Sequence, residues 1–193
     1  MKKKMKFSYA GMEFEVPSEC LKTTDYWGKP LEAPYISIGR KEVASMSKAF
    51  VKKNFPNLLV WASSEVFANG NSVDVSVCNS DGSDLDLASN EWKTIAGFVN
   101  SLAGGKYNGW EDIYEYGPAG VTDNGTKLES YAKYVHIKNS APHGSWPSAI
   151  KCIKGMVAGE YVFGAVSLEE ACEIANKRFG YSESNIEKAL KLI

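Results

Sequence analysis

The chain has 193 residues, of which 44% are hydrophobic and 23% charged, and its formal net charge is −1. This composition excludes a chain that is disordered throughout, because it carries enough apolar surface to offset the entropy lost on folding. A nearly neutral total argues against a protein that coats nucleic acid by bulk positive charge. No apolar run reaches the roughly 18–20 residues that a membrane-spanning helix needs.

The charge is unevenly distributed along the chain. Residues 1–60 hold 11 Lys/Arg against 6 Asp/Glu, residues 61–130 hold 3 against 11, and residues 131–193 hold 8 against 6. The acidic middle part is open to two interpretations. It forms either a contact surface for a basic partner or loops whose charge serves solubility.

The N-terminus and the cysteines indicate the compartment. The first six residues are basic, but residues 7–15 alternate polar and apolar side chains and do not form the apolar segment of a signal peptide. The four cysteines are Cys20, Cys78, Cys152 and Cys172, and no two of them have the short spacing of a zinc or redox motif. We therefore expect a protein of the reducing cytoplasm.

The first predicted element is a β-hairpin over residues 5–16. Apolar and polar residues alternate on both sides of a turn at Ala10-Gly11. Pro17 ends the pairing because it has no N–H to donate. Residues 18–34, which are interrupted by glycine and proline, are predicted to be a connector.

Apolar residues at helical spacing predict two helices, over 40–54 and 90–103. The apolar positions of the first are Val43, Met46 and Phe50. A proline follows that helix and ends it. Ser89 is placed to cap the start of the second helix.

Between the two helices, the pattern predicts a β-hairpin and then an acidic loop. The strands are expected at 58–64 and 72–78, with a hairpin loop over 65–71 that contains Asn69-Gly70. The acidic loop is expected at 79–87. One helix on either side of the hairpin can cover the apolar face of a small antiparallel sheet, which makes an α-β-β-α core unit.

The remaining part of the chain predicts a strand at 130–138, a loop over 139–147 and an apolar stretch over 148–158. A short strand at 161–163 is a further expectation. The chain then ends in a helix pair. Ser167 begins a capping box at the start of the first of these helices, and Ser182 caps the second.

Together these elements predict an α+β protein: a small antiparallel sheet covered by amphipathic helices, an N-terminal β-hairpin and a C-terminal helix pair. The expected division is an N-terminal hairpin with connector over 1–34, a core domain over 35–140 and a loop with the helical pair over 141–193.

A search for catalytic chemistry finds few candidates. Only His136 and His143 supply the imidazole that a Ser/His/Asp or Cys/His site needs as a base, and both are more simply interpreted as strand and loop residues. Gly104-Gly105-Lys106 follows a helix and lacks the remaining residues of a phosphate loop. The carboxylates around residue 81 do not have the spacing of a calcium-binding loop. We therefore expect neither a metal nor a cofactor, and a protein that is not an enzyme.

Glycine, proline, serine and strand valine residues between Tyr35 and Asp112 carry a family resemblance. They are Tyr35-Ile36-Ser37 opening the first helix, Lys53-Asn54-Phe55-Pro56 closing it, Ser64, Phe67, Gly70-Asn71-Ser72-Val73-Asp74-Val75, and Gly104-Gly105-Lys106-Tyr107-Asn108-Gly109-Trp110-Glu111-Asp112. The segment resembles the twenty-ninth type of large polyvalent protein-associated domain, a module of phages, plasmids and other mobile elements. The strand at 131–137 resembles a further stretch of it.

This resemblance extends over roughly residues 35–137 and implies an accessory protein of a mobile genetic element. It brings no catalytic residues to carry over. The chain departs from the pattern at residues 77–82, where such domains usually have a tryptophan-containing turn, and its acidic loop is longer.

The first hypothesis for function is inhibition of a host defence nuclease, of the anti-CRISPR or anti-restriction type. An acidic surface would occupy the basic groove in which the nuclease, or a larger nucleoprotein complex, holds DNA. The residues expected to form that surface are Asp81, Asp84, Asp86, Glu91, Glu111, Asp112 and Glu115.

The second hypothesis is a nucleic-acid-binding accessory factor that uses its lysine-rich N-terminal part and its last two helices. The lysines expected to contact phosphates are Lys2, Lys3, Lys4, Lys48, Lys52 and Lys53. A third hypothesis, an enzyme that uses His143 or the acidic loop, is left open. Neither of the first two hypotheses involves a membrane, and the sequence does not determine the oligomeric state.

Overall fold

The computed structural model describes residues 3–68, 70–108 and 113–193, with the backbone alone at residues 106–108, 113–116 and 118. Within these residues the last strand ends at Lys138 and three helices follow it. Helices and strands do not alternate regularly, which confirms the predicted α+β class.

The N-terminal hairpin is present as predicted and consists of β1 (Lys4–Tyr9) and β2 (Met12–Pro17). Ala10 and Gly11 turn the chain with φ values of 52° and 72°, the pair of left-handed residues that a two-residue hairpin turn requires. Alternate side chains of both strands are buried, namely Phe7, Tyr9, Met12, Phe14 and Val16.

The prediction of a connector over 18–34 is wrong. A 3₁₀ turn at Ser18–Cys20 leads into β3 (Leu21–Thr24), which pairs with β4 (Pro30–Ile38) in a second hairpin. The prolines of β4 are tolerated because one begins the strand and the other lies where the register with β3 is interrupted.

The first helix, α1 (Arg40–Asn54), has the predicted bounds. Its three apolar positions, Val43, Met46 and Phe50, are buried. The helix begins after Gly39, whose N–H donates to the Glu42 carboxylate at 3.1 Å. Tyr35-Ile36-Ser37, expected to open this helix, therefore lies in β4 instead.

The next two strands, β5 (Leu58–Phe67) and β6 (Gly70–Asn79), form the predicted hairpin. Both strands extend further toward the turn than the alternation predicts, so the hairpin loop is shorter than residues 65–71. Asn69 lies outside the described residues. The predicted apolar face of β6 is buried and consists of Val73, Val75 and Val77.

The second helix, α2 (Asn90–Ser101), begins at the predicted cap. The Ser89 hydroxyl accepts a hydrogen bond from the N–H of Trp92 at 3.1 Å. Ile95, Val99 and Leu102 are fully buried beneath it.

Five short strands follow α2: β7 (Gly105–Asn108), β8 (Ile113–Tyr116), β9 (Pro118–Val121), β10 (Lys127–Ser130) and β11 (Tyr134–Lys138). The single strand predicted over 130–138 is thus divided. Its first residue ends β10, and the strand resumes as β11 after three residues.

The strands form four small sheets, in the orders β1-β2, β3-β4-β10-β9, β11-β6-β5 and β7-β8. Most neighbouring strands are antiparallel. However, β10 is parallel to β4 and β11 is parallel to β6. These two parallel pairs join segments far apart in the chain, which local alternation does not reveal.

The chain ends in three helices, α3 (Trp146–Val157), α4 (Leu168–Lys177) and α5 (Glu183–Leu190). The last two are the predicted pair, and Ser167 caps α4 by accepting from the N–H of Glu170 at 3.2 Å. The apolar stretch over 148–158 lies mostly in α3, and no strand occurs at 161–163. Among the described helices, none is long and apolar enough to cross a bilayer.

Buried side chains form two apolar clusters. The first contains residues between Phe7 and Ala132 and includes the side chains of the N-terminal hairpin. The second contains residues between Ala149 and Ala189, contributed by α3, α4, α5 and the turn before α5. The division at 1–34, 35–140 and 141–193 stays a prediction, although the hairpin shares its core with the segment that follows.

Candidate functional site

The acidic loop, residues 80–89 between β6 and α2, is held by hydrogen bonds of its own aspartates. The Asp81 carboxylate accepts from the Ser83 N–H at 2.9 Å and from the Ser83 hydroxyl at 2.7 Å. These two hydrogen bonds hold the pKa of Asp81 below its usual range. Asp86 accepts from the N–H of Ala88 at 2.9 Å.

An asparagine from a distant part of the chain fixes the middle of the acidic loop. Asn139, just after β11, accepts from the Leu85 N–H and donates to the Leu85 carbonyl, both at 2.7 Å. The side chain of Leu85 is buried in the first apolar cluster. The loop is therefore tied at its centre, and the aspartates on either side of Leu85 point away from the core.

A cleft of about 690 Å³ separates the acidic loop from α3. Asp81 and Asp84 line one wall, and Lys151 and Lys154 line the other. The Lys151 ammonium lies 3.0 Å from the Asp84 carboxylate. The cleft therefore carries both signs of charge, and the two lysines are residues that the sequence analysis did not include.

The structure places the predicted acidic residues unevenly. Asp81, Asp84, Asp86 and Glu91 are exposed along the acidic loop and the first turn of α2, and we call these four residues the acidic edge. Glu111 and Asp112 lie outside the described residues, and Glu115 lies in β8, where only the backbone is described.

The predicted lysines also fall into separate places. Lys2 lies outside the described residues and Lys3 is exposed, whereas Lys4 forms an ion pair with Glu15 across the first hairpin at 2.5 Å. The three remaining lysines are exposed on α1 and are Lys48, Lys52 and Lys53. In the described part of the chain no ion pair involves these three.

A third surface, which sequence reasoning did not single out, is one face of the β11-β6-β5 sheet. Because β6 buries its valines on one side, its alternate residues Ser72, Asp74 and Ser76 point to the other side. The register places the outward residues of β5 and β11 on that same side. We call it the outer face, and its flanking residues are Trp61, Ser63, Glu65 and Phe67 of β5 with Tyr134, His136 and Lys138 of β11.

The outer face is shaped as a groove. Its central strand contributes short polar side chains, whereas the flanking strands contribute longer ones at every outward position except Ser63, so the centre is lower than the sides. Two cavities of about 350 and 500 Å³ lie along the groove and share Asp74 and Lys138. Pro142 and His143, from the loop after β11, line the cavity at the Trp61 end.

Three rings on the outer face are arranged in a series. The ring centroids of Phe67 and Tyr134 are 5.9 Å apart with planes 25° from parallel. The rings of Tyr134 and His136 are 6.4 Å apart and within 3° of parallel. The Lys133 ammonium lies 5.3 Å from the Tyr134 ring centroid. His136 therefore shares a face with Tyr134, as its position in the strand predicts.

The two histidines line neighbouring cavities of the groove but contact different rings. His136 belongs to the outer face, whereas the His143 ring lies 5.0 Å from that of Tyr181, the buried residue before α5. Within the described residues, no group of three or more His, Cys, Asp or Glu side chains is placed to hold a metal ion.

The four cysteines are free thiols, three of them buried and Cys172 half-buried. Burial, with smaller contributions from Asp84 and Asp81, raises the pKa of Cys78 to about 11. The Tyr161 hydroxyl donates to the Cys152 sulfur at 3.6 Å, and this contact together with burial raises the pKa of Tyr161 to about 12. Neither shift favours the reactive, ionised form of these groups.

Comparison of this chain with protein-family models, with curated proteins and with solved structures gives no match.

Proposed function

We propose that this chain acts by binding a macromolecule, as an accessory protein of a phage or other mobile genetic element that inhibits a host defence nuclease. The partner would be a nuclease or nucleoprotein complex of the CRISPR or restriction type, and the contact would be made by the acidic edge. The biological setting is taken from the resemblance over residues 35–137 alone.

The observation that carries the proposal is the exposure of four carboxylates on and beside a loop that hydrogen bonds hold in place. Backbone and side-chain hydrogen bonds hold Asp81 and Asp86, and the pair of hydrogen bonds from Asn139 holds the loop between them. A charged surface that needs little ordering on binding loses little entropy, which favours association. Carboxylates spaced along an edge suit a groove whose lysines and arginines hold phosphates.

The lysines across the cleft set a limit on this electrostatic argument. Lys151 and Lys154 offset part of the negative charge, and Asp84 is already paired with Lys151. The carboxylates with the greatest weight in the proposal are therefore Asp81, Asp86 and Glu91.

The test neutralises the acidic edge without removing its hydrogen bonds. In the combined variant Asp81→Asn, Asp84→Asn, Asp86→Asn and Glu91→Gln, the amide oxygens can still accept from the loop N–H groups. A control of matched charge is Glu169→Gln, Glu170→Gln, Glu183→Gln and Glu187→Gln on α4 and α5, where these residues are also exposed.

The measurement is DNA cleavage by a panel of purified RNA-guided and restriction nucleases, each preincubated with the protein before DNA is added. We expect the native chain and the control to inhibit at least one nuclease, and the neutralised variant to lose most of that inhibition. Adding DNA first should protect the nuclease, since the two compete for one groove. Equal inhibition by the neutralised variant would refute the electrostatic mechanism.

A second candidate function, nucleic-acid binding through the lysines, is favoured by the exposure of Lys48, Lys52 and Lys53 on one helix. Phosphate contacts of this kind weaken steeply with salt, with a slope that falls by about 0.7–0.9 for each contact removed. The test is a gel shift of the native chain against a variant with all three lysines changed to Gln. An unchanged salt slope would exclude α1 as the binding surface.

A further inference from the structure

The outer face of the β11-β6-β5 sheet is built differently from the rest of the surface. An ordinary solvated strand face carries charged and polar side chains, yet this one presents Phe67, Tyr134, His136 and Trp61 along both sides of a groove. A row of partly exposed rings is typical of a surface that contacts a ligand.

The spacing of the rings indicates the kind of ligand. Tyr134 and His136 are successive outward residues of one strand, and their planes are parallel. Phe67 extends the series across the sheet to the edge strand. Aromatic side chains arranged along a sheet offer stacking positions for successive unpaired bases, and a sheet of this kind accommodates about two to three of them.

The floor of the groove supplies hydrogen-bonding groups for base edges. Asp74 lies at its centre and is paired with Lys138 at 2.7 Å, so an acceptor and a donor stand side by side. Ser72 and Ser76 flank Asp74 along β6 and are buried, so they close the floor of the groove, and the Ser72 hydroxyl donates to the Glu65 carboxylate at 3.4 Å. From Ser72 to Ser76 the floor is about 14 Å long at the usual rise of a strand.

We propose that the outer face is a binding site for single-stranded nucleic acid, in which bases stack on Tyr134, His136 and Phe67 while their edges meet Asp74 and Lys138. The site is separate from the acidic edge and from the lysines of α1, so it does not rest on the proposed function. Through this site the chain can bind the unpaired nucleic-acid strand of a nucleoprotein complex, in addition to the contact made by the acidic edge.

The groove favours a single strand over a double helix. In a duplex the bases are already stacked and their hydrogen-bonding edges are paired, so the rings of the outer face would find no base plane to cover. The charges of the face are balanced, because Lys133 and Lys138 are accompanied by Glu65 and Asp74. With few unbalanced cations to contact phosphates, binding here should depend on stacking and only weakly on salt.

The experiment measures fluorescence anisotropy with labelled single-stranded DNA and RNA of mixed sequence, about ten nucleotides long, and with a duplex of the same sequence. We expect the full-length protein to bind the single strands and to bind the duplex at least about tenfold more weakly. A rise from about 50 to 200 mM salt should lower the affinity less than tenfold, unlike a site made of many phosphate contacts.

Two substitutions test whether the aromatic rings of the outer face are needed for binding. His136→Ala removes an exposed ring, and Tyr134→Leu removes the central one; each should weaken binding about tenfold, whereas Tyr134→Phe retains the ring and should bind like the native chain. The matched control is Tyr26→Leu with Trp27→Leu, which removes two exposed rings at the β3–β4 turn, outside the outer face. Circular dichroism and thermal melting verify that each variant is folded.

Amide chemical shifts of the native protein give a second measurement that needs no substitution. Adding the single strand should shift resonances of β6 and β11 and leave those of α4 and α5 unchanged. The proposal is overturned if single strands do not bind at low salt, if His136→Ala and Tyr134→Phe bind equally, or if an extended peptide but no oligonucleotide shifts the outer-face resonances.

Discussion

Lys151 of α3 and Asp84 of the acidic loop form an ion pair of 3.0 Å that joins the helical end of the chain to the sheet-containing part. Both side chains are well exposed, at 68% and 43%, so water and salt screen their attraction. We expect Lys151→Gln to lower the free energy of unfolding by less than about 1 kcal/mol, measured by urea denaturation. A larger loss would mean that this pair holds the two parts together.

A close contact between the acidic loop and the start of α3, at Gly82 and Pro147, should matter more for stability than this ion pair. Gly82 has φ +86°, and a Cβ added to it would lie 2.7 Å from the Cβ of Pro147 at the start of α3. Gly82→Ala should destabilise the protein by about 1–3 kcal/mol, since it adds a steric clash to the strain of a left-handed alanine.

Gly125→Ala is the matched control for that substitution. Gly125 has φ +85°, and nothing lies within 4 Å of an added Cβ, so it bears the backbone strain alone. We expect it to cost about 1 kcal/mol. If both alanine variants have the same free energy of unfolding, the contact of Gly82 with Pro147 does not constrain the junction.

The two hydrogen bonds between Asn139 and Leu85 should contribute measurably to stability. Asn139→Ala leaves the N–H and the carbonyl of Leu85 without these partners beside a buried side chain, which costs about 1–3 kcal/mol. Chemical denaturation measures the loss. Asn100→Ala, on the exposed side of α2, should be neutral, and an equal loss in both variants would contradict the role given to Asn139.

Stacked aromatic rings lie at the centre of the first apolar cluster, so removing one of them should strongly destabilise the protein. The rings of Phe98 and Phe50 are stacked with centroids 3.8 Å apart, and Phe14 and Tyr9 also lie against Phe98. Phe98→Ala should cost about 3–5 kcal/mol, because it removes a buried ring and leaves a cavity. Tyr26→Ala, which removes a 92% exposed ring, should change the free energy of unfolding by less than about 0.5 kcal/mol in the same urea titration.

The cysteines should differ in reactivity and in its dependence on pH. Cys172 is half-buried and should be alkylated first at about pH 8, whereas Cys78 should resist, because its pKa of about 11 leaves little thiolate. Peptide mapping by mass spectrometry after timed exposure to iodoacetamide measures both rates. Equal rates would contradict the burial of Cys78.

The same shift has a consequence for stability, with a definite sign. The folded protein favours the neutral thiol of Cys78. The contribution of this preference to the free energy of unfolding is fully present below the ordinary thiol pKa of 9.0. It is lost as the pH rises from 9.0 toward about 11, because the unfolded chain ionises first.

The helices that the sequence predicted best have strong, uninterrupted patterns. α1 has a helical apolar repeat and ends before a proline, so both its face and its bounds could be read. The sequence indicates α3 only as an apolar stretch, because Pro147 is predicted to belong to the preceding loop although it lies in the first turn of the helix, where proline is tolerated. The β3–β4 hairpin was missed because proline is rare in strands, and the interrupted register that accommodates it is not visible in the sequence.

The candidate surfaces show the same limit. Exposure of the acidic edge followed from its composition, but the lysines of α3 that face it come from a distant segment that no local pattern connects to the loop. The rings of the outer face come from distant parts of the chain, since Phe67 and Tyr134 are 67 residues apart in the sequence. Their alternation was readable on each strand, whereas the parallel pairing that brings β11 beside β6 was not.

The parallel pairing of β11 with β6 also bears on how the protein is made. When synthesis has reached residue 79, β11, the strand that completes the sheet beside β6, has not yet been made. Closing this long loop is slow compared with forming a local hairpin. Until β11 pairs with β6, one edge of β6 has no neighbouring strand and can pair with other chains. Crowding on polysomes and slow translation after residue 79 should therefore both affect the yield of native protein.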